Sequence, residues 1–226
     1  MANCRPSQSI VLKAQANPMS NSNTSKPKVL KLDESYTFSQ YAELPYERDE
    51  ILADLGCTIT SQRLSLPQYE EELDWTELSE QLNAAFQFTT ISSEQARREF
   101  LIAPILSDIC RRTRQKVRVE YALNINNWLK GTLDYYFQAH NLLIIEAKRE
   151  NLYTGFTQLG AELIALDQWV DTSQPMLYGA ISTGQIWQFG TFERATKHLT
   201  EDLTLYRVPE DLMLVGRILM HILAED

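Results

Sequence analysis

The stretch from Val117 to Lys148 constrains the fold more than any other part of the chain. Val117, Val119, Tyr121 and Leu123 alternate with polar neighbours, the period-2 pattern of a strand with one buried face. Two further strands are expected over 131–138 and 142–148, joined by Ala139-His140-Asn141. A helix follows over 154–170, then strands over 176–182 and 185–191 separated by the turn Thr183-Gly184. Upstream, Ser92 or Ser93 can cap a helix running to about Arg112, with Phe100, Leu101, Ile105 and Ile109 inward and Pro104 bending it. Pro209 stands at the first position of a last helix that ends near Ala224. This order predicts an α/β fold in which a mixed β-sheet is flanked by helices.

The chain before residue 91 is less regular. Residues 1–30 have no periodic pattern and read as a flexible leader, within which Met19 is an alternative start. Residues 31–90 read as a helical N-terminal extension packed on the core, with helical patterns at 47–55 and 74–86. In the second, Leu78, Leu82 and Phe86 recur every four residues, an amphipathic stripe suited to packing. Residues 91–226 make up the main domain.

Several function classes fall away at this point. No apolar run approaches the roughly 20 residues of a membrane helix, and no signal peptide is visible. Cys4, Cys57 and Cys110 are odd in number and scattered, which suits a reducing cytoplasm better than a disulfide framework. His/Cys zinc spacing and Gly-rich phosphate loops are missing. A net charge of -9 argues against a protein that coats nucleic acid generally. The charge is uneven, however. Acids crowd residues 43–80, while Arg97, Arg98, Arg111, Arg112, Arg114, Lys116 and Arg118 gather in one later segment. That segment is either a set of solvated helix faces or an edge that meets phosphate.

The chemistry is concentrated in the second and third strands. A hairpin centred on His140 makes Asp134 and Glu146 direct cross-strand partners, with Cβ atoms roughly 5 Å apart. Two carboxylates that close need a cation between them. Lys148 lies two residues beyond Glu146 and shares its face in a regular strand. A register shifted by one residue would send the two acids to opposite faces. Hard oxygen ligands of this kind suit Mg²⁺ or Mn²⁺.

Gly131-Thr132-Leu133-Asp134 followed by Ile144-Ile145-Glu146-Ala147-Lys148 resembles the D-x(n)-E-x-K signature of the PD-(D/E)XK nuclease superfamily. In flavour it is similar to the N-terminal nuclease domain of type I restriction-enzyme motor subunits. The resemblance covers about residues 91 to 192, and Leu133 replaces the proline of the namesake motif. It implies a restriction-endonuclease-like αβββαβ core. It also implies that Asp134 and Glu146 ligate metal, that Lys148 is the catalytic lysine, and that Glu99 on the preceding helix is a further ligand. Gln158 on the following helix joins the site, with Glu162 one turn on and on the same side.

The implied activity is Mg²⁺-dependent hydrolysis of phosphodiester bonds, in DNA before RNA, in a restriction or defence setting. With no helicase, recognition or methyltransferase segment, a specificity or recruiting protein is implied, and a homodimer stays open. A catalytically inactive member of the fold that binds nucleic acid or protein is the alternative. A glycosidase-like carboxylate pair fits poorly, because Lys148 stands with the acids. Plainer readings stand beside each residue: a surface salt-bridge cluster for the trio, a solvated helix position pairing with Arg98 or a neighbour for Glu99, capping or packing for Gln158, and a turn for His140.

Overall fold

The computed structural model describes residues 28–224 except 32, 139–141, 147–150 and 172, and of residues 142–146 it describes the backbone. The N-terminal part carries two short helices, α1 (Phe38–Tyr41) and α2 (Arg48–Asp54), the strand β1 (Thr58–Gln62) and the helix α3 (Thr76–Phe88). The extension expected to be helical therefore also supplies a strand, which pairs in parallel with a strand near the C-terminus.

The next helix is broken into α4 (Glu94–Arg97), a π-helical turn (Arg98–Ile102) and α5 (Ala103–Thr113). Ser93 caps it as expected, its hydroxyl accepting from the Ala96 amide at 3.1 Å. Pro104 has no N–H to give the Phe100 carbonyl, and the wider turn sits where that hydrogen bond would have been. Widening the turn also changes the phase of the apolar stripe. Leu101, Ile102, Ile105, Leu106 and Ile109 face the core, whereas Phe100, expected inward, is 40% exposed. Arg114, in the left-handed conformation with φ 61°, ends α5.

The central strands are β2 (Val117–Asn124), β3 (Lys130–Phe137) and β4 (Leu142–Glu146). The helix α6 (Leu152–Trp169) then crosses over to β5 (Met176–Ser182), which lies parallel to β4. After β5 come β6 (Ile186–Glu193), β7 (His198–Asp202), the short β8 (Tyr206–Arg207) and the helix α7 (Leu212–Leu223). Pro209 forms a cis peptide with Val208, and α7 begins at Leu212, later than expected. Among the described residues the strands form one eight-stranded mixed sheet, ordered β1-β7-β6-β5-β4-β3-β2, with β8 beside β6.

Helices cover both faces. On one, α6 packs between the sheet and the pair α1 and α2. It is buried from Gly155 to Leu166 and joins Phe38, Leu52, Leu133, Tyr136, Ile181 and Leu199 in one apolar cluster. On the other, α3, α5 and α7 bury Leu82, Ile105, Leu219, Tyr135, Phe137, Trp187 and Phe189 together. The mixed sheet flanked by helices is thus as read from the sequence. Among the described residues no helix is long and apolar enough to cross a membrane.

Candidate active site

The β3–β4 ladder is short. Tyr135 pairs with Ile144, Tyr136 with Leu143 and Phe137 with Leu142. This corrects the expected register, which set Asp134 against Glu146 and hence Tyr135 against Ile145. The ladder closes at Phe137, which is fully buried, rather than at Gln138, which is exposed and accepts from the Arg118 guanidinium at 2.8 Å. Burial of the aromatic ring thus fixes where the ladder ends.

Beyond Tyr135 and Ile144 the two strands part. β3 runs on toward Lys130 paired with β2, and β4 runs on to Glu146, which pairs with Ser182 of β5. Asp134 is the first residue of β3 past the ladder, and Glu146 is the last of β4. Both acids therefore stand at a fork in the sheet, at the carboxyl end of the parallel pair β4 and β5. Open α/β sheets bind ligands in such places.

Strand alternation also fails at this point. Leu133 packs in the α6 cluster and Tyr135 in the cluster on the opposite face, although residues two apart in a regular strand share a face. On β2, between the pairs Val119–Tyr135 and Tyr121–Leu133, Glu120 adopts φ 53° in the left-handed region. The faces that β3 presents thus exchange at Asp134. The Asp134 charge reaches Glu162 on α6 and Arg98 in the π-helical turn.

On the α6 side, Asp134, Gly131, Thr132, Gln158, Thr37 and Ser39 line a cavity of about 270 Å³. The N-terminal extension forms one wall. Phe38 approaches Gly131 (φ 146°) so closely that a Cβ there would lie 2.8 Å from the ring. Gln158 is almost fully buried, and its amide donates to Glu162 Oε1 at 2.8 Å. Glu162 has no exposed surface, and its Oε2 has no hydrogen-bond partner among the described residues. Burial pushes the Glu162 carboxyl well above its usual range, against the pull of the Gln158 amide, and the Asp134 charge pushes the same way.

On the other side, Glu94, Gln95, Arg98, Glu99, Ala103, Glu120 and Tyr135 line a neighbouring cleft of about 450 Å³. Arg98 lies over the Tyr135 ring at 5.4 Å and pairs with Glu120 at 3.4 Å. Glu99 accepts from its helix neighbour Gln95 at 2.9 Å, in line with its plainer reading. The Gly184 turn after β5 abuts Leu101 and Arg97, so Arg97 and Arg98 both border the fork end of the sheet.

Of the expected site residues, the structure gathers Asp134 and Gln158 and sets Glu99 in the adjacent cleft. Lys148 and His140 lie outside the described residues, as does the Glu146 side chain. Among the described residues no three His, Cys, Asp or Glu side chains converge in a way that could hold a metal ion. The sequence reading placed Glu162 beside Gln158 but missed its complete burial. The available signal was a carboxylate one turn from Gln158 in the otherwise apolar run Leu159 to Leu166. No family model, curated protein or solved structure matches the chain.

Proposed function

We propose that this protein is a divalent-cation-dependent nuclease of the PD-(D/E)XK kind, built on a restriction-endonuclease-like core and acting on DNA. One observation carries the reading: Asp134 and Glu146 are the acids that β3 and β4 present where the ladder between them ends. The order α5-β2-β3-β4-α6-β5 supports it, as do the two arginines bordering the same end of the sheet. The donors suit Mg²⁺ or Mn²⁺, being carboxylate and amide oxygens with a buried carboxylate oxygen that lacks a partner. Asp134 and Glu146 would hold the cation. Once bound, it would supply Lewis acidity toward a phosphodiester oxygen and make a coordinated water more acidic.

The remaining roles belong to the chain. Lys148 would stabilise negative charge developing on the phosphate. Gln158 would orient polar groups at the cavity wall, and Arg98 would position a phosphate without reading sequence. Purified protein incubated with linear, nicked and single-stranded DNA, and with RNA, in Mg²⁺, Mn²⁺ or EDTA tests the assignment. Cleavage that needs the cation and is lost in Asp134→Asn, Glu146→Ala and Lys148→Ala is expected. Full cleavage by any of these variants removes that residue from the proposal.

The excess of acidic residues favours a second reading, a silent member of the fold that binds nucleic acid or a protein partner. Salt-dependent binding without cleavage would identify it.

A further inference from the structure

The carboxylate of Glu162 has no structural explanation among the described residues. It sits on the buried face of α6 among Leu159, Leu163, Ala165 and Leu166, where a leucine would pack without any polar cost. Only Oε1 is bonded, to Gln158. Ionised, the group would be a buried charge beside a second acid, Asp134. Protonated, it would carry a hydroxyl, and Oε2 has no partner to receive that donor. Neither form is satisfied among the described residues, and a buried polar group of this kind in a native fold is commonly completed by an ion or water.

Its position says what is missing. Gln158 links it directly to the cavity that Asp134 lines. A cation between the two carboxylates would turn their repulsion into attraction and occupy the free oxygen. We propose that Glu162 is a ligand of the divalent cation held at Asp134, so that α6 supplies a metal-binding carboxylate in addition to those of the strands. The inference rests on the nuclease reading for the choice of cation, but it concerns binding and can be tested without turnover. Gln158 becomes a positioning residue, fixing the Glu162 rotamer while facing the cavity.

The test is calorimetric titration of the full-length protein with Mn²⁺. Wild type, Glu162→Gln, Glu162→Leu and Asp134→Asn are compared, with the Tm of each metal-free protein and cleavage of a linear duplex measured in parallel. Wild type is expected to bind Mn²⁺, and both Glu162 variants to bind at least tenfold more weakly. Their metal-free Tm should equal or exceed that of wild type, because a buried acid without full partners has been removed. Two variants of different polarity guard against one failing to fold.

Wild-type Mn²⁺ affinity in folded Glu162→Gln overturns the proposal, as does a lower metal-free Tm with unchanged affinity, the mark of a purely structural group. Wild-type protein that binds no Mn²⁺ overturns it as well. Binding that is lost in the Glu162 variants, with no cleavage by wild type, leaves the metal ligand standing and removes the nuclease. Cleavage by wild type together with unaltered binding by Glu162→Gln does the reverse.

Discussion

The contact between Gly131 and Phe38 joins the N-terminal extension to the strand that carries Asp134, and Gly131→Ala measures its strength. Gly131 has φ 146°, a conformation that costs an L side chain about 1–3 kcal/mol. The added Cβ would lie 2.8 Å from Phe38 Cδ2 and 3.1 Å from the Phe38 backbone nitrogen. The ring can yield only by disturbing its packing, since Phe38 is 1% exposed, and the backbone nitrogen can yield only by moving α1. Overpacking of this kind adds about 1–3 kcal/mol. Reduced freedom of the unfolded chain returns about 0.4–1 kcal/mol. A net loss of about 3 kcal/mol corresponds to a fall in Tm of roughly 6–12 °C for a domain of this size. Thermal unfolding followed by circular dichroism reads this directly. The same substitution in a Phe38→Ala background should cost about 1–3 kcal/mol less, because the ring contact has gone while the backbone nitrogen stays. A Tm within about 2 °C of wild type would refute the steric argument. Equal costs in both backgrounds would show that the ring contributes nothing and that backbone strain and the Phe38 nitrogen are responsible.

Three further outcomes follow from the same structure. Gly216→Ala would drive a Cβ into the buried Trp75 ring and should cost about 1–3 kcal/mol in urea unfolding; a neutral result would mean that α7 and Trp75 separate freely. Glu99→Gln should keep cation-dependent cleavage within about threefold of wild type, since Glu99 is tied to Gln95 in the neighbouring cleft, and a hundredfold loss would return it to the ligand set. Burial pushes the Cys57 thiol up to about 11, with weaker opposing pulls from the Leu199 backbone and Lys197. The fold therefore favours the protonated thiol, and that stability is intact below the unfolded value of 9.0 and lost as pH rises toward about 11. Cys57→Ala should flatten the decline of Tm across that window. Identical slopes for the two proteins would disprove the linkage.

Where the sequence was legible, burial followed apolar periodicity. Strands β3, β5 and β6 and the helix α6 announce themselves through buried apolar residues such as Leu133, Ile181 and Phe189, whereas in β2, whose Val117, Val119, Tyr121 and Leu123 are expected to share one buried face, Val119 is 54% exposed and Leu123 alone of the four is buried. Strands β1 and β7 did not. The buried positions of β7 include Thr200, Glu201 and Asp202, which look like solvent-exposed residues in a list of letters. Tertiary partners make their burial tolerable. Arg48 pairs with Glu201 at 2.7 Å, Gln188 donates to the same carboxylate at 3.2 Å, and Asp202 accepts from the amides of Leu64 and Thr204.

The candidate site was legible as residue types and spacing, but not as geometry. Counting from His140 could not reveal that Phe137 would close the ladder, nor that the faces would exchange around Asp134. Glu162 was visible as a neighbour of Gln158. Its burial depends on α1 and α2 covering the outer side of α6, and those helices come from the segment whose pattern said least.

The pairing of β1 with β7 bears on how the chain reaches this state. Thr58 must find His198, 140 residues away, and the imidazole bridges the hydroxyls of Thr58 and Thr60 at 2.7 and 2.8 Å. A contact that distant in sequence forms late, after a long loop has been closed at entropic cost. Until it forms, the outer hydrogen-bonding groups of β7 are an open template for a strand of another molecule. The N-terminal segment thus acts as a guard against self-association, and a truncation beginning after Gln62 should aggregate even where its remaining core folds.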